Sequence, residues 1–262
     1  RAFEEEVMLG GFGEAAVKAE GSAVAFDSAN ESFTARYTHE TIALAFSITE
    51  EAVEDNLYDS VAKRYTKALA RSMAQTKQIK AANILNNAFS VTTVSGDKQF
   101  LIDNDHPTIG GGNQTNRPTT LADLSETSLE QAMIDIAAFK DERGLKIAAR
   151  GMKLIVPSAN QFNAERILKS NQRVGTSDND ANAMKNMGML PQGYVVNNFL
   201  TDSDAFFIKT DVPNGLKHFQ RAALKTAMEG DFDTGNMRYK ARERYSFGAS
   251  DWRGIYGSDG SA

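Results

Sequence analysis

The residues with the widest chemical reach are three histidines, His39, His106 and His218, and no two are neighbours in sequence. A zinc hydrolase would need His-Glu-x-x-His on a helix and a serine hydrolase a Gly-x-Ser-x-Gly turn; the chain has neither. Cysteine is absent, which excludes disulfides and thiolate metal sites. Gly11-Phe12-Gly13-Glu14-Ala15-Ala16 matches a loose dinucleotide fingerprint, but no strand reads before it and Gly21 cuts short the helix it should open. Gly110-Gly111-Gly112 lacks the Gly-Lys-Ser/Thr ending of a phosphate loop. Asp178-Asn179-Asp180-Ala181-Asn182 begins like a calcium loop, yet Ala183 and Met189 stand where Gly and Glu are required. The carboxylate pairs Glu50/Glu51 and Asp231/Asp233 fit a helix start and a turn. Met184, Met187 and Met189 suit packing better than ligation. No catalytic residue, metal ligand or cofactor is expected.

Charge is the stronger signal. The 262 residues carry a net charge of −5, which argues against a general nucleic-acid binder. The sign is segregated, however. Between Leu57 and Lys80 lie Lys63, Arg64, Lys67, Arg71, Lys77 and Lys80 against the single acid Asp59, and a second basic run, Arg238, Lys240, Arg242 and Arg244, lies near the C-terminus. Lys63, Lys67 and Arg71 are four residues apart and make one ridge on a helix. Arg238 to Arg244 alternate and so share one face of a strand.

The elements that position these charges can be read from periodicity. From Leu57 to about Phe89 the apolar residues Leu57, Val61, Tyr65, Ala68, Leu69, Met73 and Ile79 recur at helical spacing, uninterrupted by Pro or Gly. At 1.5 Å per residue this helix would be roughly 50 Å long. Its expected core stripe is Leu57, Val61, Tyr65, Leu69 and Met73. Before it, Phe3 to Leu9 allows a short helix. Ala23-Val24-Ala25-Phe26 and Glu31 to Tyr37 flank a turn at Asp27 to Asn30 and suggest a hairpin, and Ile42, Leu44, Phe46 and Ile48 alternate as in a strand. A two-stranded ribbon is marginal alone and needs a surface to lie on. Residues 90 to 125 form a connector. A helix capped by Thr127 and Glu130 follows, with Gly144 available to end it, then a buried strand at Met152 to Pro157 and a helix from Ser158 carrying Phe162, Ile167 and Leu168. Strands are expected at Gly193 to Val196, at Ala205 to Ile208 and, most clearly, at Met237 to Phe247, where Glu243 is the one misfit on the apolar face. The class is α+β. No apolar run is long enough to span a membrane. The chain opens at Arg1 without a Met, so its natural beginning is expected upstream.

Three stretches carry a resemblance: Asp141-Glu-Arg-Gly-Leu-Lys-Ile-Ala-Ala with Met152-Lys-Leu-Ile-Val-Pro; Met187-Gly-Met-Leu-Pro-Gln-Gly-Tyr-Val-Val-Asn-Asn through Thr210-Asp-Val-Pro-Asn-Gly-Leu-Lys-His-Phe-Gln-Arg; and Met228 through Phe247-Gly with Asp251-Trp-Arg-Gly-Ile-Tyr-Gly. Together they resemble the major head proteins of tailed bacteriophages, in particular the Mu-like major head subunit family, over about residues 35 to 257. The resemblance implies a self-assembling shell subunit that is not an enzyme. Residues 1–48 would be an arm remnant and extended loop lying on a neighbour, through Val24, Phe26, Phe33 and Tyr37. Residues 49–122 and 222–262 would form a peripheral domain with the spine helix, and 123–221 an axial domain. Hexamers and pentamers would close around packaged double-stranded DNA in the host bacterial cytoplasm, with scaffold, portal and decoration proteins as further partners. Lys63, Lys67 and Arg71 would face the genome. A nanocompartment shell enclosing a cargo enzyme is the nearest alternative, and an enzyme with a 90–125 lid the more distant one.

Overall fold

The structure, a computed structural model, describes residues 2–55, 59–90, 96–173 and 180–260. Leu57, Asp178 and Asn179 therefore lie outside the described residues, as does the side chain of Val61. In chain order the strands are β1 (Phe3–Gly10), β2 (Asn30–Thr38), β3 (Glu40–Ile48), β4 (His106–Pro107), β5 (Asn113–Gln114), β6 (Gly151–Val156), β7 (Tyr194–Val196), β8 (Phe206–Thr210), β9 (Leu216–Gly230), β10 (Met237–Ala249) and β11 (Ile255–Ser258). The helices are α1 (Glu50–Glu54), α2 (Asp59–Asn86), α3 (Glu126–Ala137), α4 (Gln161–Lys169) and α5 (Ala183–Asn186). Among the described residues no helix is long and apolar enough to cross a membrane.

Two compact units emerge: Arg1–Glu4, Tyr37–Asn83 and His218–Phe247 in the first, and Glu5–Arg36, Ile84–Lys217 and Gly248–Ala262 in the second. Residues 84–122 and 248–262 fall in the second unit. Leu85, Ala88, Leu101 and Ile102 form a core cluster with Phe207, Ala249 and Ile255.

The first unit packs the long helix α2 on one sheet. The sheet order is β3-β10-β9, and β3 and β10 are antiparallel in a register that sets Met237 opposite Ile48, Ala241 opposite Leu44 and Tyr245 opposite Glu40. Leu69 and Met73 of α2 pack on Ala241, Ile42 and Phe46. Of the expected core stripe, Leu69 and Met73 are buried but Tyr65 is 50% exposed; Ala68 and Ile79, which share its spacing, are exposed as well.

The second unit is built on the sheet β11-β8-β6-β7, in which β6–β7 is parallel and the other pairs are antiparallel. Alternation along β6 and β8 divides the core. Leu154, Val156, Phe206 and Ile208 join Leu129, Met133 and Ile136 of α3 on one face. Phe207 and Ile155 join the cluster around Leu85 and Ile102 on the other. The N-cap of α3 is Ser125, reciprocally bonded to Ser128, so the capping box sits two residues before the one read from Thr127 and Glu130. Gly144, at φ +89°, turns a later loop rather than ending α3, which stops at Ala137. Gly215 and Gly254 touch through their backbones; a Cβ on Gly254 would lie 2.3 Å from the Cα of Gly215.

The front of the chain departs most from expectation. Phe3–Gly10 is a strand, not a helix, and it pairs with β2; residues 23–26 form no strand. Local preference is overridden by partners distant in sequence. Glu6 accepts hydrogen bonds from Lys217 Nζ at 2.6 Å and from the Ser250 hydroxyl, and Gly10 sits against Ile109 and Asn30.

Candidate functional site

The first unit places the charged residues. Side chains at 237, 239, 241, 243, 245 and 247 of β10 share the sheet face that meets α2, where Ala241 packs beneath Leu69 and Met73. Phe46 stacks on Tyr239 with centroids 4.9 Å apart and receives the edge of Tyr65 at 5.7 Å. Glu243, the misfit of the strand pattern, is only 4% exposed and accepts a hydrogen bond from Lys77 Nζ at 3.2 Å. Lys77 also lies 4.8 Å from the Tyr245 ring centroid, and Lys80 pairs with Glu40. So Lys77 serves the interior of the unit and Lys80 a surface pair, although their type placed them with the basic face. An acid on an apolar strand face demands a cation opposite, and Glu243 was the signal that could have located Lys77. Burial, then the neighbouring Lys77 charge, depresses the proton affinity of His218, which stacks on Phe247 at 4.6 Å. Burial, then the charges of Glu243 and Glu40, disfavours ionisation of Tyr245.

Lys63, Lys67 and Arg71 are all exposed. At about 100° per residue they centre about 130° around α2 from the line through Met73 and Lys80 that faces the sheet. They make one ridge on the far side of the helix. Arg238, Lys240 and Arg242 are exposed and Arg244 half-buried, on the sheet face turned away from α2. The two basic surfaces therefore look in opposite directions.

The extended-loop residues divide. Val24 is 64% and Phe26 99% exposed; Phe33 is half-buried; Tyr37 is buried and packs on Phe219 at 4.8 Å. Phe12 and Val17, unremarked in the sequence, are 61% and 100% exposed. Asp27 anchors this stretch by accepting from Gly13 N–H at 2.7 Å and from Arg143 at 2.9 Å.

Within the 90–125 connector, offered as a lid in the enzyme alternative, the described residues 96–117 hold a polar centre. His106 is fully buried, with Nδ1 2.6 Å from Asp97 Oδ2 and Nε2 3.1 Å from Asn116 Oδ1. The Asn116 amide nitrogen is committed to the carbonyls of Leu101, Trp252 and Ile255, and its oxygen also accepts from Asp103 N–H. Both His106 nitrogens thus face side-chain oxygens. Trp252 stacks on it at 4.3 Å, and the Arg253 guanidinium lies 4.4 Å from Trp252 while pairing with Glu142. An Asp–His pair can activate a nucleophile, but here the far nitrogen is engaged by a buried amide. Its work is to tie the segment to the C-terminal residues. Among the described residues no group of three or more His, Asp or Glu could hold a metal ion.

Residues 32–258 match the family model described as a phage capsid protein. The chain belongs to the phage capsid protein family. Solved structures show that the fold is shared by capsids of very different sequence. The capsid of the cyanophage P-SCSP1u matches with TM-score 0.60 at 12% identity over 98% of this chain and 83% of that one. The capsid of bacteriophage JBD30 decorated with minor capsid protein trimers matches with TM-score 0.58 at 13% identity, over 77% and 86%. The capsid of Myoviridae phage XM1 matches with TM-score 0.53 at 12% identity, over 98% and 85%. No curated protein sequence matches. This capsid protein thus carries its distinguishing chemistry in two opposed basic surfaces and an uncovered apolar loop; its polar centre is internal scaffolding.

Proposed function

We propose that this capsid protein is the major head subunit of a Mu-like tailed phage. It acts by assembly, forming hexamers and pentamers in the host bacterial cytoplasm that close around packaged double-stranded DNA. The observation that carries this reading is the run Phe12, Val17, Val24 and Phe26, four large apolar side chains left in solvent on an extended stretch of a capsid-family chain. Burying them on a neighbour would yield roughly 1.5–3 kcal/mol each, repeated at every subunit of a symmetric shell. The loop contributes Val24 and Phe26 to that contact, and Phe33 at its base. Tyr37 contributes indirectly, by fixing β2 on Phe219. The spine ridge of Lys63, Lys67 and Arg71 faces the lumen and contacts phosphates without reading bases. Scaffold, portal and decoration proteins are further partners.

Negative-stain electron microscopy of the expressed chain tests this, with Val17→Ser/Phe26→Ser beside it. Uniform icosahedral shells from the wild type and a folded, unassembled variant are expected. Surface changes of this kind alter subunit stability by no more than about 0.5 kcal/mol. Wild-type yields of shells from the variant would contradict the loop assignment. Small shells filled with a protein cargo would favour a nanocompartment.

A further inference from the structure

The row Arg238, Lys240, Arg242 and Arg244 has no acid beside it on β3. The register sets Ser47, Ala45, Ala43 and Thr41 opposite these four cations. Cross-strand neighbours of a charged residue usually offset it, and like charges crowded along one face repel. Among the ion pairs of the described residues, this face shows one, Arg238 with Asp231 in the adjoining turn. Arg244 goes further: its Nε is buried and has no hydrogen-bond partner. The alanines matter as well. With Ala43 and Ala45 on one side, the long cationic side chains border a shallow floor instead of a bristling surface. An extended chain could lie there along about 20 Å of strand.

The position of this face decides what it meets. Because α2 covers the other side of the sheet, the row points away from the Lys63–Lys67–Arg71 ridge. A surface wall with the ridge on the genome side presents the row to the exterior. We propose that the β10 row is a docking surface for an acidic polypeptide segment of a second protein on the outside of the shell. This rests on the reading that the spine ridge faces the lumen. Carboxylates spaced along an extended segment would meet cations about 7 Å apart on alternate residues of β10. Recognition would be by charge, sensitive to salt, and indifferent to apolar sequence.

Closed, empty shells give the test, because only their outer surface is open to an added probe. Fluorescein-labelled poly-glutamate is titrated against wild-type shells, Lys240→Gln/Arg242→Gln shells and Lys63→Gln/Lys67→Gln/Arg71→Gln shells. Both substituted residues in β10 are exposed, so the fold should be kept. Binding to wild-type shells, weakened about tenfold in the β10 variant, lost at high salt and unchanged in the ridge variant, is the expected result. Equal binding to all three would overturn the proposal. So would binding to unassembled subunits but not to closed shells, which would mean that neighbouring copies cover the row. Tighter binding of an added 20-base-pair duplex than of poly-glutamate through the same two residues would assign the face to nucleic acid instead. DNA retention in filled ridge-variant particles is read separately; unchanged retention would sink the lumenal reading of the ridge, whatever poly-glutamate does.

Discussion

The two units of this subunit bury their apolar residues to very different degrees. The second holds two clusters in which Leu129, Ile136, Leu154, Val156, Ile208 and Tyr256 are wholly enclosed, with a satisfied polar centre at Asn116 and His106. The first holds one small cluster of Leu69, Met73 and Ala241, while Leu44, Tyr65, Leu224, Met228 and Phe232 remain exposed. Their charge differs too. The first unit has thirteen Lys and Arg against eleven Asp and Glu, a net +2; the second has sixteen against twenty-three, a net −7, and together they restore −5. A region with a thin core and opposed basic faces leaves much of its surface to be completed from outside the chain. The second unit combines closed clusters with the exposed loop side chains Phe12, Val17, Val24 and Phe26, so internal stability and an assembly contact sit in the same unit.

The largest effect should come from the second unit. Asn116→Ala strips partners from three carbonyls, the Asp103 N–H and His106 Nε2 at once. Unsatisfied buried groups cost about 1–3 kcal/mol each, so chemical denaturation of the free subunit should show a loss of about 4 kcal/mol or more. A change below about 1 kcal/mol would mean the network is not dry. Leu69→Ala should be smaller in the free subunit, about 2–3 kcal/mol, since its cavity opens beside a thinly covered cluster. Measured by hydrogen exchange, that loss should be confined to the first unit and shrink on assembly. Global loss in both units would erase the distinction drawn here.

The smallest effect concerns acid. His218 binds its proton less readily in the folded state, through burial and then Lys77, so the unfolded chain takes up that proton first. Its contribution to stability is present above the unfolded value of about 6.5 and lost as pH falls below it. For Glu6, burial raises the proton affinity, but the bonds from Lys217 and Ser250 and the Lys217 charge outweigh it and hold the carboxyl below 4.5. That contribution is lost only as pH falls under the ordinary carboxylate range. Hydrogen exchange against pH should therefore show the first unit weakening before the second, with His218→Gln flattening the early limb and Glu6→Gln the late one. The reverse order would contradict both assignments.

Much of this was legible where one face of an element meets another element. β10, β3, β6 and α2 declared themselves by period alone, because packing enforces alternation or a 3.6-residue repeat. β1 did not. Glu4, Glu5 and Glu6 favour a helix, and what fixes the strand is pairing with β2 and the Lys217–Glu6 contact, neither visible nearby in sequence. β9 was missed because residues 222–230 are Ala-rich and exposed on both sides. The polar centre was invisible for another reason. Asn116 bonds mainly to backbone carbonyls, which every residue carries, so no pattern of residue types marks its partners. The two basic surfaces were found by type and spacing, but their opposition required α2 to be seen on the sheet.

The most direct test of the account is a high-resolution electron cryomicroscopy map of the closed shell. The account predicts Lys63, Lys67 and Arg71 on the lumenal surface, Lys240 and Arg242 on the exterior, and Phe12, Val17, Val24 and Phe26 covered by a neighbouring copy. A shell with the ridge outside, or with those four apolar side chains still in solvent, would contradict it.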